Sequence, residues 1–281
     1  MPGNLCLPAP NAYRSIFRTA DGSYDWEAEL AYGWEMIDRV SSGSLAAVIL
    51  EPILASGGMI TLPCGYLKAM KVYCEARGML LILDEAQTGL GRGGTMFAFE
   101  HEGVVPDILT LSKTLGGGMP LSAVVTSEEI ATTCAERGFL FCTTHVNDPL
   151  PAAVGVTVLE VVMRGGLVER ARVAGERLHA GLRALQARYG CIGDVRGRGM
   201  FAGLEIVDDR VQKTPAPRVA EALSERMFEL GLSTNLLRMG SHERVFRLAP
   251  PLVMTDAQID MGLELMEEAL RTTEGTLPLL S

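Results

Sequence analysis

Residues 79–113 read MLLILDEAQTGLGRGGTMFAFEHEGVVPDILTLSK. The two ends of this stretch decide the fold. MLLILDE (79–85) is an apolar run closed by two acids, and DILTLSK (107–113) is a second one closed by a lysine. Short runs that are apolar on both faces belong to a sheet covered by helices; half-exposed hairpin strands alternate instead. LAAVILEP (45–52) and LSAVVTS (121–127) extend the series. Between them lie helical patterns. Residues 24–40 carry Trp26, Leu30, Trp34, Ile37 and Val40, and residues 62–78 carry Leu67, Met70 and Cys74 with Gly78 as terminator. The strand–helix–strand rhythm predicts an α/β protein with a mostly parallel sheet covered by helices. Polar chemistry in such sheets gathers beyond the C-terminal strand ends, where Glu51, Asp84, Glu85 and Lys113 fall.

The pattern changes further on. Pro149 opens a helix to about Met163, Gly165–Gly166 breaks it, and Leu167, Ala171, Ala174, Leu178, Leu182 and Leu185 form the stripe of the next. A boundary here divides the chain into 1–164, a large domain, and 165–281, a smaller C-terminal α+β lobe. In the latter, CIGDVRGRGMFAGLEIV (191–207) predicts two strands about a glycine-rich turn, 217–230 a helix, and VFRLAP (245–250) a strand. Thr255 and Gln258 form a capping box for the last helix.

Composition narrows the function. A net charge of -9 over 281 residues argues against non-specific nucleic-acid binding. No run of 18 apolar residues suggests a membrane span, and the N-terminus lacks the basic start and apolar core of a secretion signal. Six scattered cysteines without a CxxC pair suggest a reducing compartment, hence the cytoplasm. The four histidines lack metal-site spacing. GLGRGG (89–94) satisfies G-x-G-x-x-G literally, but TMFAFEHEG after it is a poor helix start, so a flexible loop with tight turns is expected.

Several residues could carry chemistry. Asp84 could form a cap or an edge salt bridge, or pair with a protonated ring nitrogen. Lys113 could be a solvated loop residue or an amine nucleophile. Arg247, inside an apolar strand, could snorkel or grip a carboxylate with its fork. Thr143, Thr144, Asn147 and Asp148 could cap a helix or offer donors to a phosphate.

The stretch LILDEAQTGLGRGGTMFAFEHEGVVPDILTLSKTLGGGMPLSAVV (81–125) closely resembles the class III aminotransferases, fold-type I pyridoxal-phosphate enzymes. EPILASGG (51–58), TTHVNDPLPAAVG (143–155), GDVRGRG (193–199) and VFRLAPPL (245–252) resemble members that decarboxylate 2,2-dialkylglycines and transaminate pyruvate. The resemblance implies pyridoxal 5'-phosphate as cofactor and amino-acid and keto-acid substrates. It implies Lys113 as the Schiff-base lysine, Asp84 as partner of the pyridine nitrogen, and Gln87 as partner of the phenolic oxygen. Ser56 and Arg247 would meet the substrate carboxylate. Thr144 would reach a neighbouring subunit's phosphate in a homodimer or dimer of dimers. Thr144, Val146 and Asp148 would hold part of a potassium or sodium site. The family is longer at its N-terminus, and residues 1–25 resemble neither its phosphate loop nor its ring-stacking aromatic, so a truncated chain is expected. Cys142 stands where the decarboxylating members tend to have tyrosine. Two alternatives remain: a general class III transaminase of an amine or ω-amino acid, and an inactive truncated homologue with a binding or structural role.

Overall fold

A computed structural model describes residues 3–239 and 243–274. The 275–281 tail and His242 lie outside the described residues. The first half runs α1 (Trp26–Val40), β1 (Ala47–Leu50), β2 (Ile53–Leu54), β3 (Ile60–Thr61), α2 (Tyr66–Glu75), β4 (Leu80–Asp84), β5 (Ile108–Leu111), β6 (Ala123–Thr126), α3 (Glu128–Glu136) and α4 (Pro149–Arg164). The second runs α5 (Leu167–Arg188), β7 (Ile192–Gly197), β8 (Ala202–Asp209), β9 (Thr214–Pro215), α6 (Pro217–Glu229), β10 (Asn235–Met239), β11 (Glu243–Leu248) and α7 (Asp256–Glu274).

One sheet has the order β1–β4–β5–β6. Its first three strands are parallel, with Leu50 beside Leu83 and Asp84 beside Thr110. β6 returns antiparallel, with Thr110 beside Val124. The architecture is thus α/β, with a mixed, mostly parallel sheet. β4 lies between β1 and β5, and its Leu81 and Leu83 are fully buried. On them pack Leu30, Trp34 and Ile37 of α1 and Leu67, Met70 and Cys74 of α2. Asp25 starts α1 by accepting the Ala28 amide at 3.1 Å, with Glu27 and Glu29 in the first turn.

The second sheet, β10–β11–β8–β7, is antiparallel throughout. α5, α6 and α7 cover it with Leu182, Leu185, Leu223, Met227 and Leu270, packed on Ile192, Leu204, Ile206 and Phe246. The N-terminal segment also reaches this sheet. Nε of Arg14 donates to Glu205 at 2.6 Å, and Nη1 of Arg196 donates to the other oxygen at 2.6 Å. Glu205 is fully buried, so the two guanidinium groups supply the pairing that such a charge requires.

The GLGRGG segment differs from expectation. It is a buried seam between the two sheets, with Gly89, Leu90, Gly91 and Gly93 all buried. The Met200 amide donates to the Arg92 carbonyl at 3.1 Å, and Nη1 of Arg92 donates back to Met200 and to Pro250. The glycines serve close packing. A Cβ on Gly199, which sits at φ +57°, would lie 2.6 Å from the Gly93 carbonyl carbon, and one on Gly175 of α5 would strike the Gly199 backbone. Nearby, Ile53, Ala55 and Met59 of the first half close over Phe201 of the second, none more than 2% exposed. No single described helix is long and apolar enough to cross a membrane.

Two predictions follow from this packing. Gly175→Ala should cost about 1–3 kcal/mol by overpacking the seam. It should lower the melting temperature by roughly 2–4 °C per kcal/mol; an unchanged melt would show that the seam yields freely. The second concerns Asp107, which accepts from Nζ of Lys71 and from the Leu81 amide, both at 2.7 Å. Burial favours its neutral form, but the lysine and the amide prevail and hold the carboxyl below the usual range. Its contribution is therefore complete above the ordinary aspartate pKa of about 3.9 and lost as pH falls through the depressed folded value. Asp107→Asn should lower stability at neutral pH by about 1–3 kcal/mol. The gap from wild type, measured by urea midpoints, should narrow on acidification; a pH-independent gap would remove the ionised form from the account.

Candidate active site

The parallel register sets out the site. Asp84 ends β4 beside Thr110 of β5, and Glu51 follows Leu50 of β1 at the same level. Register partners in a parallel sheet point to the same face. Asp84 and Thr110 therefore share one face, and Glu51, the residue after β1, is close enough to feel the Asp84 charge. The Thr110 hydroxyl donates to Oδ1 of Asp84 at 3.1 Å, and the Ala86 amide donates to the same oxygen at 2.9 Å. Among the described residues, none donates to Oδ2.

Lys113 lies two residues past β5, at the head of a short 3₁₀ turn, Lys113–Gly116. Its φ is +46°, a left-handed backbone that costs an L-residue about 1–2 kcal/mol. Such strain persists only where surrounding packing over-determines it, and it concentrates at functional positions. Here Leu115 and Gly116 of the turn are buried while Lys113 is exposed. Its amine has no hydrogen bond or ion pair among the described residues.

Arg247 reaches the same region from β11, where it pairs with Gly203 of β8. It is half-buried and has no carboxylate partner among the described residues. Glu51 reports the grouping of these charges. Burial is the main influence pushing its carboxyl up, and Asp84 adds to it. The Ala55 amide, at 3.2 Å, and the charges of Lys113 and Arg247 pull it back. The structure thus gathers Glu51, Asp84, Lys113 and Arg247. Gln87 stands half-buried on the turn after Asp84, and Ser56 is exposed on the turn after Glu51.

Thr144, Val146 and Asp148 form a separate exposed turn leading into α4. The Val146 amide donates to Thr143 at 3.3 Å, Asn147 has φ +61°, and Asp148 pairs with Nδ1 of His145 at 2.8 Å. No described contact joins this turn to Asp84, Gln87 or Lys113. Asp148 occupies the N-cap position of α4, though its side chain makes no cap bond.

The second acid of LDE has a different task. Glu85 is 1% exposed and accepts the Ala98 amide at 2.7 Å, the Phe99 amide at 2.9 Å and the Thr88 hydroxyl at 3.1 Å. Burial pushes its carboxyl up, and these three donors oppose that. It braces the loop that follows Asp84. Sequence reasoning placed Glu51 and Glu85 at strand ends without roles and passed over Thr110. Strand register, which a single sequence does not reveal, is the missing signal.

A family model described as aminotransferase class-III matches residues 3–270. The chain belongs to the class III aminotransferase family. It is 50% identical over 273 residues to an uncharacterised aminotransferase of Schizosaccharomyces pombe, covering 97% of this chain and 61% of that one. It is 38% identical to a 5-aminovalerate aminotransferase of Pseudomonas aeruginosa, covering 80% and 52% respectively. Among solved structures, a thermostable omega transaminase variant from Pseudomonas jessenii superposes with a TM-score of 0.86 at 29% identity, covering 97% of this chain and 61% of that one. A transaminase from the marine bacterium Virgibacillus gives 0.84 at 28%, covering 90% and 58%. These establish the fold-type I architecture. The chain spans between half and three-fifths of the length of these relatives.

Glu85→Gln should be a sensitive test of the brace. The amide turns an NH₂ toward amide donors, so an unfolding cost of about 1–3 kcal/mol is expected. Hydrogen exchange at Ala98 and Phe99 should accelerate; protection equal to wild type at both amides would show that Glu85 does not hold the loop.

Proposed function

We propose that this chain carries the ring-binding and substrate-binding groups of a pyridoxal-phosphate-dependent transaminase acting between an amino acid and a keto acid. One observation carries the reading: the amine of Lys113 and the carboxylate oxygen Oδ2 of Asp84 stand without described partners beyond adjacent strand ends, and Glu51 near them feels the charges of Asp84, Lys113 and Arg247. This donor set fits the cofactor. An aldehyde calls for an amine, a pyridine nitrogen for a carboxylate, a phenolic oxygen for the Gln87 amide, and a substrate carboxylate for a guanidinium fork. The phosphate would draw on the Thr144 hydroxyl, and its exposure supports service to a second copy in a homodimer or dimer of dimers. Thr144, Val146 and Asp148, together on one turn, would hold a potassium or sodium ion.

When bound, pyridoxal phosphate supplies an electron sink for charge developing at the substrate α-carbon. Asp84 would accept the ring N–H and keep that nitrogen cationic. Lys113 would hold the aldehyde covalently and, once displaced by substrate, carry a proton to or from the α-carbon. Arg247 would fix the substrate carboxylate and thereby the orientation of the bond that breaks.

Relatives named for 5-aminovalerate and for diaminobutyrate with 2-oxoglutarate favour general transamination. Decarboxylating transamination of 2,2-dialkylglycines with pyruvate is the second reading. The exposed Ser56 hydroxyl favours it, because it lies one residue beyond the Ala55 amide bonded to Glu51.

The test begins with pyridoxal phosphate titration of the chain, borohydride reduction and peptide mass analysis. The adduct is expected on Lys113 and lost in Lys113→Ala; a dominant adduct on another lysine removes the assignment. A chain that takes up no cofactor returns the structural-homologue reading. Turnover is then compared for ω-amino acids and for 2-aminoisobutyrate. Carbon dioxide release from the latter with pyruvate supports the decarboxylating reading, and transamination without it supports the general one.

A further inference from the structure

We propose that Thr110 is a positioning residue, whose hydroxyl pins Oδ1 of Asp84 so that Oδ2 is the one oxygen open to a ring N–H; this rests on the cofactor reading above. The strand register carries the inference. Asp84 is in register with Thr110 of β5, and Glu51, just past β1, bears on it through its charge. Oδ1 receives two donors, the Thr110 hydroxyl at 3.1 Å and the Ala86 amide at 2.9 Å. The second oxygen has no donor among the described residues.

A carboxylate at the end of a strand can rotate about its last torsion, which is broad and nearly two-fold. Two donors converging on one oxygen select a single rotamer. The amide comes from the backbone two residues later and is present in any sequence. The hydroxyl comes from the next strand and is the part that the sequence chose. Thr110 is suited to the task because its β-branch restricts χ1 on a strand. A hydroxyl can donate to a carboxylate but brings no positive charge, so it does not take the place of a cationic partner. The charged groups that bear on this corner are Glu51, Lys113 and Arg247. Glu51 repels the Asp84 charge, and a lysine or arginine in place of Thr110 would satisfy Asp84 within the protein and close it to the cofactor.

Thr110→Val tests this with little change of volume, and Thr110→Ser restores the hydroxyl. Two measurements are made on chains whose melting temperatures match the wild type closely enough to show an intact fold. In the first, NMR of the unliganded chain follows the Ala86 amide. Its resonance should move and its exchange should accelerate in Thr110→Val, and both should return in Thr110→Ser. An unmoved Ala86 amide in Thr110→Val would show that the carboxylate is held without the hydroxyl, and it overturns the proposal whether or not cofactor binds. In the second, pyridoxal phosphate binding is compared with binding of an analogue whose ring nitrogen is replaced by carbon. A bond to a charged group corresponds to roughly a tenfold to hundredfold loss of affinity. That loss is expected for pyridoxal phosphate and not for the analogue. Equal losses for the two would mean that Thr110 does not act through the ring nitrogen. A wild-type chain that binds neither removes the cofactor reading and leaves the first measurement to decide how Asp84 is held.

Discussion

The parallel pairing of β4 between β1 and β5 is the constraint on which the site depends. Register partners on parallel strands share a face, which brings Thr110 beside Asp84, and the neighbouring strand β1 delivers Glu51 close to both. The buried leucines of β4 fix the register, because a shift by one residue would turn Leu81 and Leu83 away from the helices and expose them. Hydrophobic patterning thus places a polar group that contributes little to that core. Asp107 reinforces the arrangement from the opposite end of the strands, tying α2, β4 and the start of β5 with one carboxylate.

A second constraint joins this group to Arg247. That residue belongs to the antiparallel sheet, so its position relative to Asp84 is only as firm as the seam between the two sheets. The seam combines close backbone contacts, Gly93 against Gly199 and Gly199 against Gly175, with the Arg92 guanidinium bonded to the carbonyls of Met200 and Pro250. Backbone contacts at this range leave few alternative arrangements, unlike a side-chain interface, which can repack. Arg196 adds a further tie. Its Nε donates to the Gly58 carbonyl at 2.7 Å, and its Nη1 is held by buried Glu205. The turn carrying Ser56 is therefore anchored to the second sheet, which also carries Arg247.

Much of this was legible in the sequence. Apolar runs gave the strands, helical stripes gave the covering layers, and the acids and lysine fall at or just beyond strand ends, as the pattern indicates. The capping box at Thr255 appears as read, with Gln258 accepting the Thr255 amide at 2.9 Å. What the sequence withheld has a common physical origin. Periodicity is local, whereas register, seams and ion networks are relations between distant segments. Thr110 looked like one more residue of a strand because its importance lies in facing Asp84. GLGRGG has the glycine content of a flexible loop, yet glycines also let two backbones touch, and that is their use here. The antiparallel return of β6 is a further case, since LSAVVTS has the same apolar character as the strands before it.

The turn at Thr144 shows how a site can be extended without direct contact. It lies at the start of α4, and no described bond links it to Lys113. Yet α4 packs on the turn that Lys113 heads. A Cβ on Gly155 of α4 would meet the Leu121 side chain at 2.6 Å and the Leu115 carbonyl at 3.5 Å, so the helix can lie this close only where it has no side chain. Gly117 meets Val154 and Val158 of the same helix. The helix is a rigid body over this distance, with one end carrying the Thr144 turn and its middle pressed on the residues after Lys113. The Lys113 turn and the Thr144 turn are thus both attached to one helix. A side chain at Gly155 would clash with Leu121, so either that leucine or the helix would have to shift. On the proposed reading Lys113 and Thr144 serve the cofactor's aldehyde and a phosphate. With Thr144 serving the phosphate of a second copy, the packing at Gly155 would tie the aldehyde site of one copy to the phosphate site of its neighbour, although the side chains never meet.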